Sequence, residues 1–318
     1  MGKYLQYFID GYTGYAGYIW REITFSNDGP WWHNYFWYLV VISAFFLLLE
    51  WLRPWRVEQP KFRKDFWLDF FYMFFNFFIF SLIVYNAASE VVVNMWIDLL
   101  ASIGITNTIA INVSNWAIGY QLLTLFIVKD FTEWWIHRLL HRIPFLWEFH
   151  KVHHSVEQMG FAAHLRYHWM ETLVYKSAVY VVLAFFGFGI DDFFFVHMFT
   201  IAIGHWNHAN FRVKIGPLKY IINNPNMHMW HHAYHLPPGK NYGVNFGITL
   251  SLWDYLFGTD YIPHSGRDIK LGFPGIETFP KTFWTQVTFG FSTIKKRNNQ
   301  SGPKDYDEKV AEEDKLVI

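Results

Sequence analysis

No cysteine occurs in the 318 residues, which removes disulfides, thiolate-held metals, iron–sulfur clusters and cysteine nucleophiles together. Any metal bound here must sit on nitrogen and oxygen. Net charge is absent too. The 26 Lys and Arg balance 26 Asp and Glu, so there is no field to gather nucleic acid or an acidic ligand. Charge of either sign is scarce, 16% of the chain against about 25% in a soluble domain, and that is too little to coat a water-facing surface. Residues 1–20 lack an apolar stretch followed by a small-residue cleavage site, so no signal peptide is expected. No dinucleotide-type glycine motif in its proper context and no haem, flavin or ferredoxin-like segment is present.

Apolar and aromatic residues are abundant. Hydrophobic residues make up 53%, with 34 Phe, 19 Tyr and 17 Trp, a set that suits a bilayer and its headgroup boundary. Residues 35–52 (YFWYLVVISAFFLLLEWL) predict a first membrane span. The basic stretch behind it, with Arg53, Arg56, Lys61, Arg63 and Lys64, predicts a cytoplasmic loop. Spans over 66–87 and 117–136 then run out and back, with a mixed, Asn-rich and partly inserted stretch at 88–115. A span pair over 172–206 turns at GFGIDD (187–192). Residues 246–258 are too short to cross. The expectation is an all-α, multi-span transmembrane bundle with a His-rich cytoplasmic cap holding a two-metal site. Its single membrane-embedded domain covers 1–294, the His-rich core about 130–260, and a polar, flexible tail 295–318.

Of 16 histidines, 14 lie between His137 and His235. His137 and His141 are four apart. His150, His153 and His154 form an H-x-x-H-H set that recurs at His228, His231 and His232. Random placement would give such a set about 0.04 times in this chain, so two copies are not accidental. On a helix, positions i, i+3 and i+4 share one face, and each triplet is expected to offer three imidazoles to one centre. Two triplets and the pair supply eight nitrogens, too many for one closed tetrahedral site and suited to two metals. Imidazole accepts iron, copper, zinc and nickel alike.

His208 is favoured as a further ligand, and His168 and His205 are additional candidates. His164 remains evenly balanced between ligand and interfacial hydrogen bonding. His33, His197 and His264 read as satisfied polar groups. Asp130, Glu133, Glu148, Glu171 and Asp254 stand where they could accept the outer N–H of a ligating ring.

The segments DFTEWWIHRLLH (130–141), LWEFHKVHHS (146–155), LRYHWME (165–171), HANFR (208–212), MHMWHH (227–232), KNYG (240–243) and LWDYLFGT (252–259) resemble the boxes of the fatty acid hydroxylase and sterol desaturase superfamily. Trp169 stands where that family commonly has proline. The resemblance covers about 130–260. It implies two iron ions with O2 as co-substrate, held by His137, His141, His150, His153, His154, His208, His228, His231 and His232. Zinc could displace iron in a purified sample.

It also implies hydroxylation of a lipid C–H bond, with desaturation or alkylglycerol-ether cleavage as alternatives, and a separate electron donor of cytochrome, ferredoxin or pterin type. The expected location is a bacterial inner membrane or the endoplasmic reticulum, with the metals on the cytoplasmic side. A histidine-rich metal transporter is the reading from a different class. It would need polar residues along the spans, and Glu50, Asp69, Lys129 and Lys176 are few and lie mostly near span ends.

Overall fold

A computed structural model describes residues 2–27, 29–188 and 190–291. The expected flexible tail at 295–318 lies outside the described residues. Residues 1–279 form one compact unit and 280–318 a second, whose described part holds the short helix Phe283–Gln286. Among the described residues all regular structure is helical. Pairing of extended backbone is limited to two isolated bridges, Ile222 with Leu250 and Ala233 with Leu271.

The first unit opens on α1 (Gly2–Thr24), which sequence reasoning left unassigned. It packs along α4 (Asn86–Ser102). Gly11 permits that approach, because a Cβ there would stand 3.1 Å from the Glu90 Cβ and 3.2 Å from the Ala87 Cα. Lys3 closes the pair with an ion pair to Asp98.

α2 (Tyr35–Leu52) is N-capped by Asn34, whose side chain accepts from the Trp37 amide. α3 (Phe66–Phe74) runs into α4 through two π-helical turns, Phe75–Ile79 and Ser81–Tyr85, making one helix from Phe66 to Ser102. The stretch expected to turn amphipathic at residue 88 is therefore helical as far as Ser102. The wider π turns swing Asn76 and Ser81 inward. Asn76 donates to the Tyr167 carbonyl at 2.7 Å, just before the next helix of the site.

α2 and the helix Phe66–Ser102 are the two described helices long and apolar enough to cross a membrane. α5 (Ile118–Arg142), α6 (Pro144–His154), α7 (Trp169–Ala184), α8 (Ile190–His208), α9 (Pro225–His231) and α10 (Leu252–Phe257) complete the unit. The turn expected at 187–192 comes earlier, at 185–187 just after α7, and residues 190–192 already belong to α8. Gly187 adopts a left-handed φ of 62° there, while Gly189 is outside the described residues.

Two apolar clusters hold these helices. One gathers Tyr35, Leu39, Phe46, Phe66, Met73 and Ile201. The other gathers Leu125, Ile136, Leu140, Val179, Leu183 and Val196. The basic loop after α2 is not a uniformly solvated loop. Arg56 and Arg63 are buried; Arg56 donates to the Met159 carbonyl at 2.9 Å and Arg63 pairs with Asp69. Lys64 reaches Glu157 at 2.7 Å. This loop is thus stitched to residues 157–159, immediately after the first histidine triplet.

Candidate metal centre

Nine histidines converge in two groups. His137, His141, His150, His154 and His231 form one; His153, His208, His228 and His232 form the other, and within each group the ligand nitrogens lie within 4.8 Å of one another. α5 carries His137 and His141, α6 the whole first triplet, α8 His208, and α9 with its C-cap residue the second triplet.

The triplets do not each serve one centre as expected; both are divided between the groups. Helical twist explains the division. Residues four apart differ by about 40° around the axis, whereas the i+3 residue sits about 60° to the other side of i. His150 and His154 therefore enter one group while His153 turns to the other. In the same way His228 and His232 stay together and His231 crosses over.

The outer nitrogens are fixed mostly by backbone. His137 Nδ1 meets the Phe246 carbonyl at 2.8 Å, His231 Nδ1 that of Val244 at 2.8 Å, His153 Nδ1 that of Arg166 at 3.1 Å and His208 Nδ1 that of Gly204 at 2.8 Å. A carbonyl only accepts, so each of these Nδ1 atoms carries the proton and each Nε2 is a bare lone pair. Yet His153 Nε2 and His208 Nε2 face one another at 3.4 Å. In the other group, His150 Nε2 and His231 Nε2 are buried with no hydrogen-bond partner.

Lone pairs gathered in a dry site repel unless a cation lies between them, so the residues fit a metal at each group. Burial, and then neighbouring imidazoles, hold His141, His150, His154, His208, His228, His231 and His232 well below the ordinary histidine pKa. Burial pulls His137 to about 3 and His153 to about 4, against the pull of their carbonyl partners. Neutral imidazole is the ligand form.

Among the candidate acids, Glu171 alone meets a grouped histidine, with one oxygen 2.7 Å from His150 Nδ1. Its other oxygen accepts the His168 amide at 3.2 Å. Burial pushes Glu171 up to about 8, opposed by that amide. Asp130 instead accepts from the Thr249 and Leu250 amides and Trp253 Nε1. Asp254 accepts from the Phe246 and Gly247 amides, Trp134 Nε1 and the Thr259 hydroxyl. Both brace the loop that bears the His137 acceptor. Glu133 pairs with Lys129, and Glu148 with Lys151.

His168 and His205 lie outside both groups. His168 is the N-cap of α7, its Nδ1 accepting the Met170 amide at 3.1 Å. His205 bridges Ser43 Oγ at 3.1 Å and His164 Nδ1 at 2.9 Å. Arg166 was missed as a support. It is buried, pairs with Asp69 at 3.0 Å, donates to Ser155 at 2.9 Å and offers its carbonyl to His153.

Gly204 was missed as well. A Cβ at that position would fall 2.1 Å from the His164 ring. Gly204→Ala is expected to destabilise the protein by about 1–3 kcal/mol, since overpacking must displace a ring wedged among neighbours. A thermal midpoint equal to that of the parent would contradict this.

A cavity of about 710 Å³ opens from the histidines. His137, His150, His153, His208 and His228 line one part of it. Its walls continue along α7 through Tyr175, Val179 and Leu183 and along α8 through Ile201, His197 and Phe193.

The family model described as fatty acid hydroxylase matches residues 122–259. The ornithine lipid hydroxylase of Rhizobium tropici is 30% identical over 178 residues, 56% of this chain and 52% of that protein. Human alkylglycerol monooxygenase is 31% identical over 149 residues, 45% of this chain and 31% of that protein. Methylsterol monooxygenase 1-1 of Arabidopsis thaliana is 30% identical over 149 residues, 44% of this chain and 46% of that protein. The chain thus spans about half, or less, of the length of these relatives. No solved structure matches it.

Proposed function

We propose, from the premise that residues 122–259 are a fatty acid hydroxylase domain, that this chain is a membrane oxygenase that hydroxylates a lipid C–H bond with two iron ions and O2. The observation that carries the reading is the apolar cavity reaching both histidine groups. His137, His141, His150, His154 and His231 would hold one iron, and His153, His208, His228 and His232 the other. Iron so held supplies O2 activation and oxidation of an unactivated carbon, which no side chain can perform. The chain's own part is positional. Backbone carbonyls and Glu171 orient the imidazoles, while aromatic and aliphatic walls seat an apolar chain and keep water from the reacting carbon.

The lipid hydroxylase and monooxygenase names of the relatives support a lipid substrate. A multi-span arrangement with the histidines on the cytoplasmic side agrees with the basic loop stitched beside the first triplet. Electrons would come from a separate donor.

The test compares lipid extracts from a host with and without the gene, grown aerobically, alongside iron analysis of the purified protein. A product heavier by one oxygen, with oxygen from 18O2, is expected together with two irons per chain. A product lighter by two hydrogens would indicate desaturation instead. Unchanged lipids with O2 and reductant supplied would remove the oxygenase reading.

A further inference from the structure

Among the described residues, no acid pairs with Lys176, a cation in the wall of the cavity. The other cavity charges are matched: Lys129 holds both oxygens of Glu133 at 2.7 Å, and Glu171 meets His150 at 2.7 Å. The Lys176 ammonium, with three donors, has Ser81 Oγ at 3.1 Å and the faces of Tyr85 and Phe77, 4.4 and 5.1 Å to the ring centroids. A cation kept from water is costly unless matched, and within a membrane such a group marks a function by default.

His197 makes a second, independent observation. Sequence reasoning took it for a satisfied polar group, but both of its ring nitrogens are buried without a hydrogen-bond partner. Its ring stacks among Tyr35, Phe193 and Phe77, with centroids at 5.5, 5.6 and 5.9 Å. Phe77 thus touches both groups, and Lys176 and His197 both line the cavity. One ammonium and one imidazole N–H, both lining the cavity and both against Phe77, make a receptor for an oxyanion.

We propose that Lys176 and His197 receive the carboxylate or phosphate oxygens of the lipid substrate inside the cavity, an inference that rests on the lipid oxygenase reading. Lys176 lies five residues along α7 from Glu171, and His197 eleven residues along α8 from His208, about 7 and 17 Å of helical rise. The anionic group would therefore stand on the order of 10 Å from the oxidised carbon, so the receptor selects which carbon meets the histidine centre.

The experiment measures equilibrium binding of palmitate, hexadecyl phosphate and hexadecanol to the purified full-length protein with its metals, in neutral detergent and without O2, so that nothing turns over. The parent is expected to bind the two anions about ten- to a hundredfold more tightly than the alcohol, the range of a charge-assisted bond. Lys176→Met should abolish that preference and leave hexadecanol binding unchanged, which also reports that the cavity is intact. Lys176→Arg should retain the preference, and His197→Phe, which keeps the stacking, should reduce it.

Equal affinity of the parent for palmitate and hexadecanol would overturn the proposal even if the lysine variant failed to fold. So would unaltered anion binding in Lys176→Met. Inorganic phosphate competing as well as hexadecyl phosphate would assign the site to a free anion and overturn the substrate role. An intact anion preference in a protein that yields no oxidised lipid would sink the oxygenase reading alone.

Discussion

Replacing His153 together with His208 by alanine is expected to leave one metal per chain, whereas replacing His153 together with His137 is expected to leave well under one. The first pair belongs to a single group and the second takes one ligand from each. If each triplet served its own centre, as the H-x-x-H-H spacing alone suggests, a double replacement of His150 and His153 would strip one metal and spare the other. The divided arrangement predicts that it weakens both. Metal analysis of protein purified from iron-supplied cells, with helix content checked by circular dichroism, separates the two schemes. One firmly held iron in the His150 and His153 double variant would refute the divided arrangement. Each single replacement in either group should also lower product formation by at least about a hundredfold, since even partners one shell out from a metal typically cost ten- to a hundredfold.

The histidine spacing made the donors legible before any coordinates. Every residue of the two groups stands in a short, regular motif, and side-chain identity carries that signal. Their division was less legible, because an i, i+3, i+4 set occupies one broad face in sequence terms and only the neighbouring helices decide which ring turns which way. The outer acceptors were mostly invisible. The carbonyls of Phe246, Val244, Arg166 and Gly204 belong to backbone that any residue can supply, so of the five candidate carboxylates only Glu171 meets a grouped histidine.

α1 went unassigned because its polar residues and three interior glycines, Gly11, Gly14 and Gly17, hide a helix that a partner stabilises. The basic loop misled in part: Arg56 and Arg63 count as surface charge in sequence but are buried against Met159 and Asp69. His197 was passed over because a lone histidine usually finds a hydrogen bond, and sequence offers no way to see that an aromatic stack has denied it one.

Asp254→Ala is expected to be among the most damaging changes outside the nine histidines. The carboxylate is fully buried and collects four donors: the Phe246 amide at 2.9 Å, the Gly247 amide at 2.7 Å, Trp134 Nε1 at 3.1 Å and the Thr259 hydroxyl at 2.6 Å. Alanine would remove the acceptor that all four donors share. An unmet buried donor costs about 1–3 kcal/mol. Partial relaxation still leaves a loss of at least about 4 kcal/mol, a fall of roughly 10 °C in thermal midpoint for a chain of this size.

The damage should also reach the metal. The residue whose amide Asp254 holds, Phe246, uses its carbonyl to fix His137, so iron should be lost first from the five-histidine group. Asp130→Ala provides the contrast, because Asp130 braces Thr249, Leu250 and Trp253 without holding Phe246. It should lower stability while sparing iron. Equal iron loss in the two variants would show that general softening of the loop, rather than the aim of one carbonyl at His137, controls occupancy of that centre.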